Sequence, residues 1–427
     1  MDKQEYYTLN YLQKLFKAYY KQNAKDILIP DLDQRELAFT SWRRPGMNRH
    51  IGYPSKNFLI EFLEGNGPSN AYRSAAYYGK PGSDTMDTKK YRKCDFVFDI
   101  DSDHIPTDCR EKHNFFICKS CNHKVAGVKP LKCPECGHNK FKEIVWICDE
   151  CLEVTKRQVE ILVDDFLLPD FHIPLQDIRI FFSGHRGYHL HINSEFLLDL
   201  DSDARREMID YITGEGFSFK IWEFEQKSND MRGFNTNQFG WPQKISKKLM
   251  EILQLERPEF VRTFSEPTYR DPLYKSIINT LWENRELLFR KLKTKDQIWQ
   301  IQGIGEASWH KIFYILRDLI KSDVDIVVSY DLHRLIRMEG SINGKCGLRK
   351  IEVPYEGLAD FDPLKDALSF PSKEDNTLRV EIVGDACPKL RIGSQSYGPY
   401  GKGEIKDLPL NVALFLLCKK VAMLDHK

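Results

Sequence analysis

Two aspartates separated by one residue close an apolar stretch, Asp-Phe-Val-Phe-Asp-Ile-Asp, at residues 95–101. Alternation along a β-strand would place the aromatic and isoleucine side chains on one face, and Asp99 and Asp101 on the other. Two carboxylates about 6.5–7 Å apart repel each other and favour a compensating cation. Mg²⁺ prefers such oxygen ligands, together with substrate phosphates. The stretch therefore predicts either a divalent-metal site or a surface strand with solvated acids.

A third aspartate and several cations lie in the last third of the chain. Asp325 falls in the apolar run Val324–Val328, which predicts a strand; its carboxylate is either partnered inside the fold or solvated on an edge strand. Asp331 is placed to cap a short helix over Asp331–Arg337, on which Arg334 and Arg337 share one face, unless that face is simply solvated. Lys345 follows in a turn. Three carboxylates with several cations fit metal-assisted phosphoryl transfer.

A glycine-rich turn, Ser183-Gly184-His185-Arg186-Gly187, separates two predicted strands at Ile178–Phe182 and Tyr188–Ile192. Its glycines allow the backbone to approach a ligand closely, and Arg186 can bind a phosphate through two donors. His189 and His191 share one face of the second strand. The alternative is an ordinary hairpin with a charged tip.

Three Cys-x2-Cys pairs lie between residues 109 and 151 and predict zinc rather than disulfides. Cys118, Cys121, Cys133 and Cys136 have the spacing of a tetrahedral four-cysteine site. Cys148 and Cys151 would complete a second site with Cys109 and His113, although three such pairs can also be matched differently. Closed sites of this kind stabilise small segments that lack a core of their own.

The rest of the sequence indicates an α+β protein of two to three structural units in 427 residues. Apolar spacing predicts an opening helix around residues 11–19, an amphipathic helix at 157–168, a mainly helical segment at 200–320 and an apolar helix at 409–422. No signal peptide or membrane-spanning run is expected. The formal net charge is only +1, so a nucleic-acid partner would have to be bound by local basic patches.

Three of these stretches and a fourth near the N-terminus resemble, in the same order along the chain, the small catalytic subunit of archaeal and eukaryotic DNA primases. They are Val97–Asp101, Ser183–His189, Asp325–Leu348 and the N-terminal Arg35–Thr40. Within the third stretch, Asn343 stands where that family usually has histidine.

The resemblance implies a mixed-sheet catalytic core with a zinc-binding insert and a helical subdomain. The core would comprise residues 1–104, 156–199 and 321–427, the zinc region 105–155 and the helical subdomain 200–320. The family usually has one zinc site, which Cys109, His113, Cys148 and Cys151 would supply. Residues 114–144 would then be an inserted second zinc ribbon that extends the fold or touches template or a partner subunit.

The resemblance also assigns roles to the site residues. Asp99, Asp101 and Asp325 would bind the catalytic Mg²⁺ or Mn²⁺. The phosphates of the incoming nucleotide would be contacted by Ser183, Arg186, His189, Arg334, Arg337 and Lys345, with Arg35 close to the nucleotide site.

The implied function is synthesis of short RNA primers on single-stranded DNA from nucleoside triphosphates by two-metal nucleotidyl transfer, together with a large-subunit partner. An archaeal protein would act in the cytoplasm at the nucleoid, and a eukaryotic one in the nucleus; the archaeal assignment is favoured. Two alternatives remain: a primase-like polymerase for repair or gap filling, and a non-catalytic zinc-ribbon nucleic-acid-binding protein.

Overall fold

The computed structural model describes residues 3–103, 105–109, 113–216, 226–227, 230–231, 233–267, 270–294, 299–371, 376–384 and 387–425, and the fold is of the predicted α+β class. Its helices are α1 (Lys3–Asn23), α2 (Lys56–Asn66), α3 (Asp149–Ile161), α4 (Glu195–Leu198), α5 (Ser202–Thr213), α6 (Trp241–Leu253), α7 (Arg257–Ser265), α8 (Lys275–Glu283), α9 (Arg285–Lys293), α10 (Glu306–Ile320), α11 (Ile326–Tyr330), α12 (Pro363–Asp366) and α13 (Leu410–Cys418).

Its strands are β1 (Leu37–Thr40), β2 (Met47–Ile51), β3 (Asn70–Ser74), β4 (Ala76–Tyr78), β5 (Tyr91–Cys94), β6 (Phe96–Asp101), β7 (Phe115–Cys118), β8 (Lys124–Ala126), β9 (Phe141–Ile144), β10 (Ile178–Phe182), β11 (Gly187–Ile192), β12 (Gln226–Lys227), β13 (Asp230–Met231), β14 (Leu335–Arg337), β15 (Ile351–Glu352), β16 (Thr377–Ile382), β17 (Leu390–Ile392), β18 (Gln395–Tyr397), β19 (Ile405–Pro409) and β20 (Ala422–Leu424).

Two antiparallel four-stranded sheets carry the residues of interest. Sheet A has the order β14-β3-β1-β2, and sheet B has the order β15-β10-β11-β6. The apolar face of β6 is in the core, since Phe96, Phe98 and Ile100 are fully buried. The predicted strands β6, β10 and β11 are therefore confirmed, as is the division of β6 into an apolar face and an acidic face.

Two local predictions around the third aspartate are wrong. Residues 324–328 do not form a strand: Asp325 is the N-cap of α11, and its Oδ1 accepts a hydrogen bond from the Val328 amide at 2.9 Å. An aspartate that satisfies a free amide at a helix start outweighs the strand preference of a short valine-rich run. Residues 331–337 do not form a helix, because β14 pairs with β3 through Ile336 opposite Arg73. Ile336 is buried where β14 pairs with β3, and the spacing of residues near Ile336 does not reveal a partner so distant in the sequence.

Two predicted helices have different bounds from those expected. The segment at 157–168 belongs to α3, which begins earlier, at Asp149, and continues beyond Ile161 as a wider turn in which the Leu168 amide bonds to the Val163 carbonyl. The last helix, α13, covers Leu410–Cys418 rather than 409–422, and all nine of its residues are buried. Among the described residues, no helix is both long and apolar enough to cross a membrane.

The chain divides into two compact units. The first comprises Met1–Val159, Ile173–Arg206 and Val324–Lys427 and contains both four-stranded sheets. The second comprises Glu160–His172 and Glu207–Asp323, and helices α6 to α10 account for about half of its described residues. Its buried apolar side chains, such as Trp241, Trp309 and Phe313, give it a core of its own.

Candidate active site

The pairing of β6 with β11 brings the acidic strand and the glycine-rich turn together. In this register Asp99 lies opposite His189, and Asp101 lies opposite Gly187. A Cβ atom at Gly187 would overlap the Ile100 carbonyl oxygen, so only glycine allows the two strands to meet at this point. The turn residue Gly184 has φ +78°, which also favours glycine.

A cavity of about 150 Å³ opens beside these strands in the first unit. Seven residues that the sequence singles out line it: Asp99, Asp101, Ser183, His189, Arg334, Arg337 and Lys345. Tyr72, His185 and Asn343 are also part of its wall. The cavity thus has carboxylates on one strand and cations on a neighbouring segment, which is the charge pattern of a site for a metal-bound polyphosphate.

Asp99 is the electrostatic centre of the cavity. Burial, Asp101 and Asp325 together raise the pKa of Asp99 to about 7, while Arg334 and Lys350 act in the opposite direction. A carboxyl group with so high a pKa lacks a compensating positive charge. The donor set therefore suits a divalent cation, which would restore the ionised form.

Asp325 joins this group through its backbone and its charge. Its amide donates a 2.7 Å hydrogen bond to the Asp99 carbonyl, which fixes the start of α11 beside β6. Among the described residues, the only groups of three or more His, Cys, Asp or Glu residues whose ligand atoms all lie within 4.8 Å of one another are two cysteine-containing clusters. The carboxylate oxygens of Asp99, Asp101 and Asp325 are therefore spread more widely than this.

Arg186, a predicted phosphate contact, and Arg35, predicted to lie close to the nucleotide site, do not line the cavity. Arg186 forms ion pairs with Asp101, at 3.0 Å from Nε to Oδ1, and with Asp103. Arg35 is buried, donates to the carbonyls of Ser74 and Ala75, and pairs with Asp95 at 3.0 Å. Arg35 thus links β1 to the residues that follow β3 and to Asp95.

The cationic wall is held in place by two asparagines. Asn70 Oδ1 accepts hydrogen bonds from Arg337 Nη1 at 2.9 Å and from the Gly344 amide at 3.1 Å. Asn343 Oδ1 accepts from the Lys345 amide at 2.9 Å. The predicted helical arrangement of Arg334 and Arg337 is wrong, but β14 and the following turn still bring both arginines and Lys345 to one cavity.

His189 is a neutral imidazole beside Asp99. Its Nε2 lies 3.5 Å from Asp99 Oδ1, and burial, together with Lys350 and Arg337, holds its pKa well below the usual range. A neutral imidazole can donate from only one nitrogen. His189 can therefore offer one N–H to an anionic ligand without adding a full charge.

A buried charge network under the cavity was not anticipated. Arg73 forms two 2.8 Å hydrogen bonds to Glu339, and Lys350 Nζ lies 3.3 Å from Glu339 Oε1 and 3.3 Å from His191 Nε2. Arg73 belongs to sheet A and His191 to sheet B, so the network joins the two sheets. Sequence spacing gave no sign of it, because its members are brought together only by strand register.

The raised pKa of Asp99 predicts a pH-dependent stability. Folded Asp99 retains its proton up to about pH 7, whereas the unfolded residue loses it near pH 4, so wild type should lose stability between these values. Asp99→Asn removes this effect, and at pH 8 the variant should be more stable than wild type by on the order of 2–4 kcal/mol. Thermal unfolding from pH 5 to 8, without added Mg²⁺ or Mn²⁺, measures the difference.

Asp103→Asn, which removes a more exposed acid just after β6, is the control and should follow wild type across this range. Added Mn²⁺ should stabilise wild type more than Asp99→Asn at pH 8. Parallel pH profiles for wild type and Asp99→Asn would contradict the assignment of a buried, proton-retaining carboxyl group.

The first cysteine-containing cluster consists of Cys109, His113, Cys148 and Cys151. Cys151 Sγ lies 3.2 Å from Cys109 Sγ and 3.3 Å from His113 Nε2. His113 Nδ1 lies 2.9 Å from Asn114 Oδ1, which turns the other ring nitrogen toward the sulfurs. A hydrogen bond from Cys151 lowers the pKa of Cys148 to about 4, which favours the thiolate that binds metal.

The second cluster consists of Cys118, Cys121, Cys133 and Cys136. Sulfur separations of 3.5 Å for Cys118–Cys136 and 3.6 Å for Cys121–Cys133 bring the two Cys-x2-Cys pairs together. The two clusters divide the ligands as the sequence indicates, and each could hold a metal ion.

Comparisons with known proteins identify the family of this chain. The family model described as DNA primase small subunit matches residues 134–355, just over half of the chain. The chain is 30% identical to the DNA primase small subunit PriS of Methanothrix thermoacetophila, over 97% of this chain and 98% of that protein. It is 27% identical to the PriS protein of Nitrosopumilus maritimus, again over 97% and 98% of the two chains, and 29% identical to that of Cenarchaeum symbiosum, over 96% and 97%. This chain belongs to the DNA primase small-subunit family.

Proposed function

We propose that this chain is the catalytic subunit of a DNA primase, which joins ribonucleotides on a single-stranded DNA template by two-metal nucleotidyl transfer. The observation that carries the proposal is the cavity in which Asp99 and Asp101 face Arg334, Arg337 and Lys345. Family membership supports a DNA-directed nucleotidyltransferase, and the cavity has the charges that such a reaction requires.

The aspartates of β6, together with Asp325, would hold Mg²⁺ or Mn²⁺. Burial, followed by the negative charge of Asp101 and Asp325, raises the pKa of Asp99, and a bound cation would offset that charge. When bound, the two ions would activate the attacking hydroxyl and stabilise negative charge on the attacking and leaving oxygens. In the reaction the 3′-oxygen forms a bond to the α-phosphorus of the incoming nucleotide, and the bond to the departing pyrophosphate breaks.

The residues opposite the acids would bind the triphosphate. Arg334, Arg337 and Lys345 supply positive charge, and Ser183 and His189 supply neutral donors at the turn side of the cavity. Arg186 would release Asp101 to the metal and move to the phosphates, since it now pairs with that carboxylate. Asn70 and Asn343 would keep the cationic wall in position through the hydrogen bonds described above.

The remaining assignments follow from the same proposal. The unit with both sheets would be the catalytic core, and the mainly helical unit a helical subdomain. Each cysteine-containing cluster would hold one structural Zn²⁺, since neither has an open ligand position. A large primase subunit would be the partner, and similarity to archaeal proteins favours an archaeal cell, with action at the nucleoid.

Primer synthesis on single-stranded DNA without a supplied primer tests the proposal. Labelled ribonucleotides with Mg²⁺ or Mn²⁺ should give short products, in the presence of the large subunit if required. Extension of a supplied primer alone would favour a repair polymerase. No product under either condition would favour a nucleic-acid-binding protein without catalysis.

A further inference from the structure

The segment at residues 114–144 carries a small antiparallel sheet with the order β8-β7-β9. Residues that lie opposite each other in an antiparallel pair share a face of the sheet. Ile117 of β7 lies opposite Lys124 of β8 and Lys142 of β9. Two residues further along β7, the Lys119 amide bonds to the Lys140 carbonyl at 3.0 Å, which continues the same register. Lys119, Lys124, Lys140 and Lys142 therefore share one face, called here the lysine face.

The segment that carries the lysine face has few acidic residues. The segment contains six lysines but only two glutamates. Glu143 lies opposite Phe116 and so points to the other side of the sheet, while Glu135 lies in the second Cys-x2-Cys pair. Within the described part of the chain, Lys119, Lys140 and Lys142 form no ion pair within 4 Å. One Zn²⁺ bound by four thiolates would add a net charge of about −2, and the segment would still keep an excess of positive charge.

This cationic face is built on a rigid support. The amides of Cys118 and Cys133 donate to the carbonyls of His123 and His138 at 2.9 Å and 2.7 Å, so the two cysteine pairs fold into matching turns. Phe116, Ile117 and Ile144 are buried and anchor the sheet. All four lysines of the face are exposed, and like charges on adjacent strands destabilise a sheet unless an anion neutralises them.

A half-buried aromatic ring lies on the same face. Phe115 lies opposite Ala126 and, like Ile117 two residues on, belongs to the lysine face. The Lys124 ammonium is 4.0 Å from the centroid of the Phe115 ring. Positive charge interleaved with an aromatic side chain is typical of surfaces that bind single-stranded nucleic acid, in which phosphates contact the cations and bases stack on rings.

We propose that the lysine face binds the phosphodiester backbone of a single-stranded nucleic acid. The charge excess and the exposure of the four lysines identify a polyanion as the ligand. That this strand is the DNA template rests on the proposed function. The large exposed apolar side chains of the segment, Val128 and Leu131, lie in the loop after β8 and not on this face.

The test replaces Lys119, Lys124, Lys140 and Lys142 with glutamine in the full chain. Binding of a fluorescein-labelled oligothymidylate of about 20 nucleotides is measured by anisotropy, without nucleotides or added Mg²⁺, at about 50 to 200 mM salt. Affinity at low salt should fall about tenfold or more, and the slope of log K against log salt should become less steep by about 2–3. Lys129→Gln with Lys132→Gln, in the loop of the same segment, is the control and should change affinity by less than about twofold.

Two further measurements keep the outcome decisive. If the glutamine variant loses zinc, the same four positions are changed to arginine, which should retain both binding and zinc. Unchanged affinity and salt slope in a zinc-loaded glutamine variant would overturn the proposal, as would loss of large-subunit binding with normal oligonucleotide affinity. Primer synthesis by the same preparations distinguishes the proposed primase function from the proposed binding by the lysine face. If wild type makes no primers but binds the oligonucleotide more tightly than the glutamine variant does, only the proposed function is overturned.

Discussion

Asp101→Asn lowers primer synthesis by about three orders of magnitude or more if Asp101 is a metal ligand. Asparagine keeps the size of the side chain but loses the negative charge and one strong ligand oxygen. The side chain of Asp101 is one-third exposed, and its partner Arg186 keeps the ion pair with Asp103, so folding should be preserved. The measurement is incorporation of labelled nucleotide on single-stranded DNA at a fixed concentration of Mg²⁺ or Mn²⁺.

Asp103→Asn is the matched control for this experiment. Asp103 lies two residues further along, also pairs with Arg186, and does not line the cavity. Its replacement should leave activity within about tenfold of wild type, because it alters only a partly exposed ion pair. Both variants should contain two zinc ions per chain. Full activity in Asp101→Asn, or an equal loss in both variants, would refute the role of Asp101 as a metal ligand.

The parts of the site that the sequence predicts correctly are those encoded by local pattern. Alternation over six residues defines β6 and the shared direction of Asp99 and Asp101, and fixed spacing defines the cysteine pairs. The turn at Ser183–Arg186 is equally local, because Gly184 and Gly187 mark it in the sequence. These features need no knowledge of distant contacts.

The parts that the sequence misses depend on contacts between distant segments. Asp325 looks like a strand residue by composition, yet its carboxylate caps a helix whose position is set by an amide bond to Asp99. Arg35 carries the right charge and lies near the right motif, but burial against Ser74 and Ala75 gives it a structural role. The residues that hold the cationic wall, such as Asn70, are found only when the register of β3 and β14 is known.

Glu339→Gln is expected to destabilise the first unit by about 3–5 kcal/mol. Burial would raise the pKa of Glu339, but Arg73 and Lys350 hold it well below the usual range, so the residue is ionised and compensates both cations. The neutral amide would leave these two buried cations without enough negative charge to balance them. Arg73 would keep its ion pair with Asp95, at 2.9 Å, whereas Lys350 would lose the ion pair with Glu339 that the described residues give it. Denaturant unfolding of wild type and variant measures the loss.

Glu352→Gln is the control that distinguishes the effect of burial on stability from the effect of losing an ion pair at the surface. Glu352 also makes a two-bond pair with an arginine, Arg179, at 2.8 and 2.7 Å, but its side chain is 43% exposed. Water can replace this pair, and the expected loss is below about 1 kcal/mol. Equal losses in Glu339→Gln and Glu352→Gln would contradict the role of a buried network.

The double variant Glu339→Met with Lys350→Met tests whether the loss of folding stability on replacing Glu339 comes from the uncompensated charge of Lys350. Removing both members of the pair eliminates the unpaired Lys350 ammonium, so the double variant should be more stable than the sum of the single changes implies. Activity should not recover with stability, because Lys350 also offsets the negative charge around Asp99, and Arg73 and His191 join the sheets on either side of the cavity. Recovery of stability without recovery of primer synthesis would therefore indicate that the buried cation contributes to the site as well as to folding.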